Sequence, residues 1–199
     1  ATGADAAPAI SAPSRSPLNF GALRQLIADT IVRLNGLGIG RNDRVAIVRA
    51  YVGKRTNRRH RPGRAFERPM YRFDVLADYG AFRDLQRHRM LTVEWQPLSP
   101  GHGYTRPEAV DDAGCADAFD ESMGRSRVLH DALAERFPAQ APYAVALAYR
   151  LRFSMQMNAR EAMHLIELRS APQGHAAYRS VAQQMHRLIA EKAGHHAAA

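Results

Sequence analysis

The stretch that decides the fold is residues 144–157, which read Ala-Val-Ala-Leu-Ala-Tyr-Arg-Leu-Arg-Phe-Ser-Met-Gln-Met. Large apolar side chains occupy every second position from Val145 to Met157, with alanine, arginine, serine or glutamine between them. Alternation with a period of two is typical of a β-strand that has one face against a core. The sequence therefore predicts a long, half-buried strand whose second face is small at first and then basic.

Weaker patterns on both sides predict the elements that pack with this strand. Tyr71, Phe73 and Val75 alternate with polar residues and predict a second strand over residues 71–76. Apolar residues at helical spacing predict helices over about 77–89, 158–169 and 178–192. Together these patterns predict an α+β fold, with helices packed beside a mixed sheet.

The first 48 residues have a different character. Proline, alanine and serine dominate residues 1–15, which we expect to be a flexible leader. Helical spacing predicts an amphipathic helix over about 19–35, and residues 44–48 predict a short strand. Gly36, Gly38 and Gly40 lie between them, an order that predicts a helix C-cap and turn; a phosphate-binding glycine loop follows a strand instead. We expect this helix and strand to form an appendage.

Charge and cysteine content narrow the classes of function. The 199 residues include 28 lysines and arginines against 19 acidic residues, and the net charge of +9 favours an anionic partner. No apolar run is long enough to predict a membrane span. The single cysteine, Cys115, lies among aspartates that disfavour a reactive thiolate, and it fits a reducing, cytoplasmic compartment. We expect no metal site, because His195 and His196 in the tail have no third ligand.

Two motifs precede residue 49, namely Leu-Asn-Phe-Gly-Ala-Leu at 18–23 and Gly-Ile-Gly-Arg-Asn-Asp-Arg-Val-Ala-Ile-Val at 38–48. On these motifs, residues 16–48 resemble the start of an AMP-forming acyl-CoA synthetase. The phosphate loop and the adenylating lysine of that family have no counterpart in this chain. We therefore expect residues 16–48 to be an inactive fragment that precedes a separate domain, 49–199.

Two other motifs lie in that domain: Arg-His-Arg-Met-Leu-Thr at 87–92, and Asn-Ala-Arg-Glu-Ala-Met-His-Leu-Ile-Glu-Leu-Arg at 158–169. On these motifs, residues 49–199 resemble a flavin-dependent thymidylate synthase. The signature of that family is Arg-His-Arg, two residues, Ser, one residue, Asn-Glu, one residue, Ser, one residue, Arg-Tyr. Its members use FAD and NADPH to methylate dUMP to dTMP with methylenetetrahydrofolate, usually as homotetramers with FAD at subunit interfaces.

The resemblance implies roles for residues of both motifs. Arg169 is implied to be catalytic, as a cation that stabilises negative charge developing at O2 of the pyrimidine. The implied cofactor-binding residues are Arg87, His88, Arg89, Thr92, Asn158 and His164. Arginines suit the flavin pyrophosphate, and His88 suits a hydrogen bond to the isoalloxazine ring. Taken alone, Asn158 and Arg169 also suit an N-cap and a partner of the helix dipole.

The signature departs from the family pattern after Thr92. The family's Asn, Glu, Ser, Arg and Tyr are replaced by Glu94, Trp95, Pro97, Ser99 and Pro100. A carboxylate at position 94 is expected to repel a nearby phosphate. We therefore expect the chain to be a degenerate copy that binds FAD weakly or serves a structural role, without useful turnover by itself.

Cations elsewhere in the chain are candidates to compensate for these losses, and they also support a different function. Turnover would remain only under the alternative that Arg150, Arg152 or a basic residue of the 49–64 stretch replaces the missing guanidinium groups. The same residues suit a basic nucleic-acid-binding module, and a non-catalytic, oligomer-forming module is a further alternative. A homo-oligomer is expected in the flavin-dependent case.

Overall fold

The computed structural model describes residues 9–11 and 40–193. Their elements are β1 (Ala9–Ser11), α1 (Arg41–Val52), β2 (Met70–Asp78), α2 (Tyr79–Leu85), β3 (Leu91–Trp95), α3 (Glu108–Asp112), α4 (Ala116–Arg136), β4 (Arg150–Asn158), α5 (Ala159–Arg169) and α6 (Ala176–Ala193). Short 3-10 helices lie at Arg64–Glu67, Pro100–His102 and Ala141–Ala144. The described residues therefore form the α+β architecture that the sequence predicts.

The strands form one sheet in the order β1-β2-β4-β3. β2 and β4 pair along their whole length, with Tyr71 opposite Met157 and Val75 opposite Phe153. Every pairing in the described part is antiparallel, so the predicted mixed sheet is wrong in that respect. Alternation identifies a strand and its buried face but carries no information on the direction of its neighbours.

One face of the sheet carries the core. Phe73 and Val75 of β2 lie beside Phe153 and Met155 of β4, and all four are at most 5% exposed. The helices cover this face with buried residues of α2, α5 and α6, namely Phe82, Leu85, Leu165, Ile166, Val181, Met185 and Ile189. The period-two patterns that predicted β2 and β4 are confirmed, because they mark the side chains that this core buries.

The opposite face of the sheet is polar, and its arginines are already paired. Arg152 forms a bidentate ion pair with Asp74 on β2. Nε of Arg150 donates a hydrogen bond to Oγ1 of Thr105 at 3.1 Å. The basic face predicted for β4 is therefore largely compensated by neighbouring side chains.

β4 begins at Arg150 and not at residue 144 as the alternation predicted. Residues 141–144 form a 3-10 helix that contains Pro142, and the chain that follows is attached to α4 and α2. The hydroxyl of Tyr149 donates to the carbonyl of Met123, and Leu147 accepts from the backbone N–H of Gly80 at 3.0 Å. Residues 145–149 therefore lie in a loop in which Tyr149 is buried and Leu147 is exposed, and the alternation arises there without a strand.

The strand predicted over residues 44–48 is wrong, because these residues lie within α1. Gly40 is the N-cap of this helix, and its backbone N–H donates to the carboxylate of Asp43 at 3.2 Å. Gly53 ends the helix with φ of +72°, a conformation that glycine adopts without a Cβ clash. The β-branched residues Val45, Ile47 and Val48 favoured a strand, but the caps at both ends determine the helix.

Three further predictions concern the start of the chain and α2. Residues 9–11 of the predicted leader form β1, which pairs with β2. The helix predicted over 19–35 lies outside the described residues. The helix predicted over 77–89 is the shorter α2, because β2 continues to Asp78, whose carboxylate accepts from the backbone N–H of Ala81 at 2.8 Å. No described helix is long and apolar enough to cross a bilayer.

Candidate functional site

A pocket lies between α5, the residues that follow α2 and the segment that follows α1. Its volume is about 550 Å³, within the range of roughly 300–1,000 Å³ that is typical of small-molecule sites. Eight arginines line it, and the acidic residues of its lining are Glu67, Glu161 and Glu167. The arginines are Arg55, Arg58, Arg61, Arg64, Arg87, Arg89, Arg160 and Arg169. Such an excess of cations in a concave surface concentrates anions.

Residues 53–69, here called the arginine loop, are fixed to α5 by side-chain contacts. Nη2 of Arg55 lies 2.7 Å from Oε2 of Glu167. Arg160 donates through Nε to the carbonyl of Pro62 at 3.0 Å and through Nη1 to Oε1 of Glu67 at 2.7 Å. These contacts place an irregular segment of the chain against the helix and bring its arginines to the pocket.

Three arginines of the pocket have an uncompensated charge. Arg58, Arg61 and Arg89 are exposed, and their side chains form no ion pair or hydrogen bond with the residues that the structure describes. The glutamates of the lining already pair with arginine or histidine. A hydrogen bond from Arg64 is the largest cause that holds the pKa of Glu67 below its ordinary value. An anionic ligand would therefore meet free guanidinium groups, which bind phosphate oxygens in bidentate geometry.

A hydrogen-bonded chain joins α5 to the end of α2 at this pocket. Nε of Arg169 donates to Nε2 of His88 at 3.1 Å, and Nδ1 of His88 lies 3.0 Å from Oε1 of Glu161. Nη2 of Arg169 also donates to the carbonyl of Asp84 at 2.7 Å, and its guanidinium carbon lies 5.2 Å from the ring centroid of Tyr178. Because arginine has no acceptor, Nε2 of His88 accepts and Nδ1 carries the proton.

The structure brings together nearly all of the residues that the sequence predicted. One pocket is lined by Arg87, His88, Arg89, Asn158, His164 and Arg169. Both ring nitrogens of His88 are engaged by the protein, so neither is free for the isoalloxazine hydrogen bond that the resemblance implies. His164 is exposed, and its ring meets that of His88 edge-on with centroids 5.7 Å apart.

Asn158 and Arg87 have structural partners beside the pocket. Oδ1 of Asn158 accepts from the backbone N–H of Glu161 at 2.8 Å, which confirms the N-cap interpretation of this residue. The side chain of Arg87 is 68% exposed, and its Nη1 lies 3.4 Å from Oδ1 of Asp84. Asn158 therefore fixes the start of α5, and the pair at Asp84 leaves most of the Arg87 side chain open to solvent.

Thr92 and the altered signature positions do not line the pocket. Thr92 is exposed on the edge strand β3, opposite Gln156, so the geometry gives no support for its hydroxyl as a ligand in this pocket. Glu94 is 72% exposed on the same strand and lies 3.7 Å from Arg72. Glu94 does not line this pocket, because the chain enters the sheet edge directly after Met90, so the expected repulsion of a phosphate by Glu94 stays a prediction.

Only some of the cations suggested as replacements for the lost signature arginine lie at the pocket. The 49–64 stretch supplies Arg55, Arg58, Arg61 and Arg64 to the pocket, but Arg150 and Arg152 do not line it.

Two residues that hold His88 and Arg169 were not predicted from the sequence, namely Glu161 and Asp84. One signal for Glu161 was available. It lies one helical turn before Leu165 on the buried face of α5, where a charged residue is rare unless it is paired.

Comparison with known proteins identifies the family. The family described as thymidylate synthase complementing protein (Thy1) matches residues 28–194. The chain belongs to this family. Members of the family are known as flavin-dependent, and its α+β fold agrees with the sheet and helices described above. The resemblance of residues 16–48 to acyl-CoA synthetases finds no support, since the Thy1 match includes residues 28–48.

Three relatives carry the name UPF0159 protein, which states no activity. This chain is 44% identical over 140 residues to the protein of Chlamydia pneumoniae, and the match covers 70% of this chain and 26% of the relative. It is 41% identical over 143 residues to that of Chlamydia muridarum, with 72% and 27% covered. The relative from Thermoplasma acidophilum is 38% identical over 146 residues, with 72% and 29% covered. The matched segment thus spans between a quarter and a third of each relative.

Proposed function

We propose that the arginine-lined pocket binds the phosphates of FAD and that the chain is a flavin-binding unit of thymidylate synthase type. The observation that supports this most is the convergence of two independent sets of residues. Arg87, Arg89, Asn158 and Arg169, which the family resemblance singles out, share one pocket with the uncompensated charges of the arginine loop.

The donor set fits the phosphate-bearing part of a dinucleotide. A pyrophosphate presents anionic oxygens that match the guanidinium forks of Arg58, Arg61 and Arg89. The apolar lining is small and consists mainly of Pro62, Met90 and Leu168. A flat, apolar ring system therefore needs further surface beyond this pocket, which agrees with a homo-oligomer in which a second copy covers the isoalloxazine.

Bound FAD would carry a hydride from NADPH for dUMP methylation, with methylenetetrahydrofolate as the carbon donor. Within this chain, Arg169 would place a cation at the pyrimidine carbonyl and stabilise the negative charge that develops there. Arg87 and Arg89 would hold the phosphates. The altered signature positions from Glu94 onward lie on an edge strand and its extension. Their departures from the family pattern would therefore affect a site shared with another copy more than this pocket.

Nucleic-acid binding is the alternative that the basic composition supports. Arg150 and Arg152, which the sequence assigned to such a surface, are engaged by Thr105 and Asp74. Arg58, Arg61 and Arg89, which form no ion pair with the described residues, line one pocket of small-molecule size. Other exposed cations, such as Arg59 and Arg68, lie outside it. The grouping of free cations in a concave site supports a nucleotide over a polynucleotide.

A titration with FAD tests the proposal. Binding is followed by quenching of flavin fluorescence, and the same samples are melted with and without FAD. At a hundredfold excess over Kd, FAD should stabilise the chain by about 2.7 kcal/mol, which raises the Tm of a chain of this size by roughly 5–10 °C. If saturating FAD neither binds nor raises the Tm, the proposal fails.

A matched pair of variants locates the binding. Arg89→Gln removes a free guanidinium of the pocket, and we expect affinity for FAD to fall about fivefold, the effect of roughly 1 kcal/mol for an exposed charge contact. Arg125→Gln is the control, because this arginine of α4 is 77% exposed and its one ion pair among the described residues is with Glu121. Equal losses in both variants would indicate nonspecific attraction to a basic protein.

A further inference from the structure

The hydrogen-bonded chain from Glu161 through His88 to Arg169 has a fixed proton arrangement. Neutral histidine carries one ring proton, on Nδ1 or on Nε2. A proton on Nε2 would face the Nε–H of Arg169 and leave Glu161 without a donor. Only the Nδ1–H form satisfies both neighbours at the observed distances of 3.0 and 3.1 Å.

We propose that Glu161 is a positioning residue that acts on the ligand through His88. Its carboxylate accepts the Nδ1 proton of His88 and so keeps Nε2 as an acceptor for Arg169. This inference rests on the proposed function, in which Arg169 meets the nucleotide. Glu161 itself is largely buried, with 9% of its side chain exposed, although it contributes to the pocket lining.

The contacts of Arg169 define which part of its guanidinium remains for a ligand. Nε is held by His88 and Nη2 by the carbonyl of Asp84. Nη1 lies 4.0 Å from Oδ1 of Asp84, beyond hydrogen-bond reach. The ring of Tyr178 packs beside the guanidinium plane. Nη1 therefore keeps both of its N–H donors for a ligand and Nη2 keeps one, and their direction depends on the acceptor at Nε2 of His88.

A purely structural role for Glu161 makes a different prediction. If Glu161 served only as a charge in α5, any loss of a carboxylate from this helix would have a similar effect. Glu167 offers the matched comparison, because it lies on the same helix, lines the same pocket and pairs with Arg55 but touches neither His88 nor Arg169. Glu161→Met and Glu167→Met remove the same charge and keep the side-chain length.

Nitrogen-15 spectra of the histidine rings and arginine side chains in the ligand-free chain provide the test. His88 signals are assigned by their loss in His88→Gln. We expect wild-type His88 as the Nδ1–H form alone, with Nε–H of Arg169 protected from exchange. In Glu161→Met both tautomers should be populated and exchange of the Arg169 Nε–H should accelerate at least fivefold. Glu161→Gln, which keeps an acceptor oxygen, should restore part of both properties, and Glu167→Met should match the wild type.

Several outcomes would overturn the inference. Wild-type His88 found as the Nε2–H form or as imidazolium at neutral pH would do so without any variant. Equal changes in Glu161→Met and Glu167→Met would show a general effect of charge. Failure of Glu161→Gln to restore either property, or an unchanged tautomer in Glu161→Met, would also contradict it.

Binding of dUMP separates this inference from the proposed function. Glu161→Met should weaken dUMP roughly tenfold, since the hydrogen bonds of Arg169 to the ligand lose their orientation, and Glu161→Gln should recover part of that affinity. If the wild type shows the expected tautomer but neither the wild type nor any variant binds dUMP, the proposed nucleotide function fails while the proton arrangement stands. If dUMP binds equally to all variants, the positioning role is wrong and the proposed function survives.

Discussion

Arg160→Gln is expected to detach the arginine loop from α5. Arg160 provides two of the contacts that hold this loop, to the carbonyl of Pro62 and to Glu67. The first leaves the carbonyl of a buried residue without its donor, which costs about 1 kcal/mol. The second is an ion pair whose partners are 27% and 31% exposed, so solvent screening limits it to less than about 1 kcal/mol.

The combined loss of about 1–2 kcal/mol raises the population of the detached loop roughly 5–30-fold. The rate of cleavage by trypsin measures this population, because Arg58 and Arg59 lie in the loop. Cleavage is proportional to the fraction of detached loop when opening and closing are fast relative to cleavage. We expect cleavage after these residues to accelerate by the same factor in Arg160→Gln. Affinity for FAD should fall in parallel, since Arg58 and Arg61 lose their fixed positions.

Arg152→Gln is the control for this prediction. It removes an arginine–carboxylate ion pair on the other face of the sheet, with Asp74. Its tryptic pattern in the loop should match the wild type. Unchanged cleavage at Arg58 and Arg59 in Arg160→Gln would refute the view that α5 holds the loop in place.

Three further predictions concern the core, the dependence of stability on acidic pH, and the turnover of dUMP. Met155→Ala, at a position with 0% exposure, should lower the free energy of unfolding in urea by about 2–5 kcal/mol, whereas Met90→Ala, at an exposed position, should leave it unchanged. Hydrogen bonds from Tyr104 and then Arg106 hold the pKa of Asp120 below its ordinary value; its contribution is therefore present above the unfolded pKa of about 3.9 and is lost as the pH falls through the lower folded pKa. Asp120→Asn should thus be less stable than the wild type at neutral pH, and in acid unfolding curves the difference should shrink below about pH 4 and vanish only below the lowered folded pKa. The purified chain with FAD, NADPH and methylenetetrahydrofolate should release little tritium from labelled dUMP, because the signature is altered at the strand edge, and robust release would disprove this.

The core could be predicted from the sequence because buried positions of a strand or helix carry apolar residues at a regular spacing. The period-two patterns of β2 and β4 and the stripe of Val181, Met185 and Ile189 in α6 all mark side chains that the structure buries. α1 shows the opposite case. Its apolar residues Val45 and Ile47 are exposed, so no core among residues 9–11 and 40–193 accounts for its conformation, which agrees instead with the caps at Gly40 and Gly53.

The candidate site could be predicted in composition but not in arrangement. Motif resemblance identified Arg87, His88 and Arg169, which do share the pocket. Resemblance could not reveal that Glu94 belongs to an edge strand, because strand order depends on contacts between distant residues. The chain from Glu161 to Arg169 spans α5 and the end of α2, and such a contact leaves no local sequence pattern.

The most direct test of phosphate recognition by this pocket compares FAD with riboflavin, which has the same ring system without phosphates. Calorimetric titrations of the wild-type chain with both compounds, at low and at high salt, separate binding by the arginines from binding by apolar contacts. Guanidinium–phosphate contacts predict that FAD binds at least about tenfold more tightly than riboflavin and that added salt weakens FAD selectively. Equal affinities for the two compounds, or an affinity for FAD that does not change with salt, would contradict phosphate binding by the arginine-lined pocket.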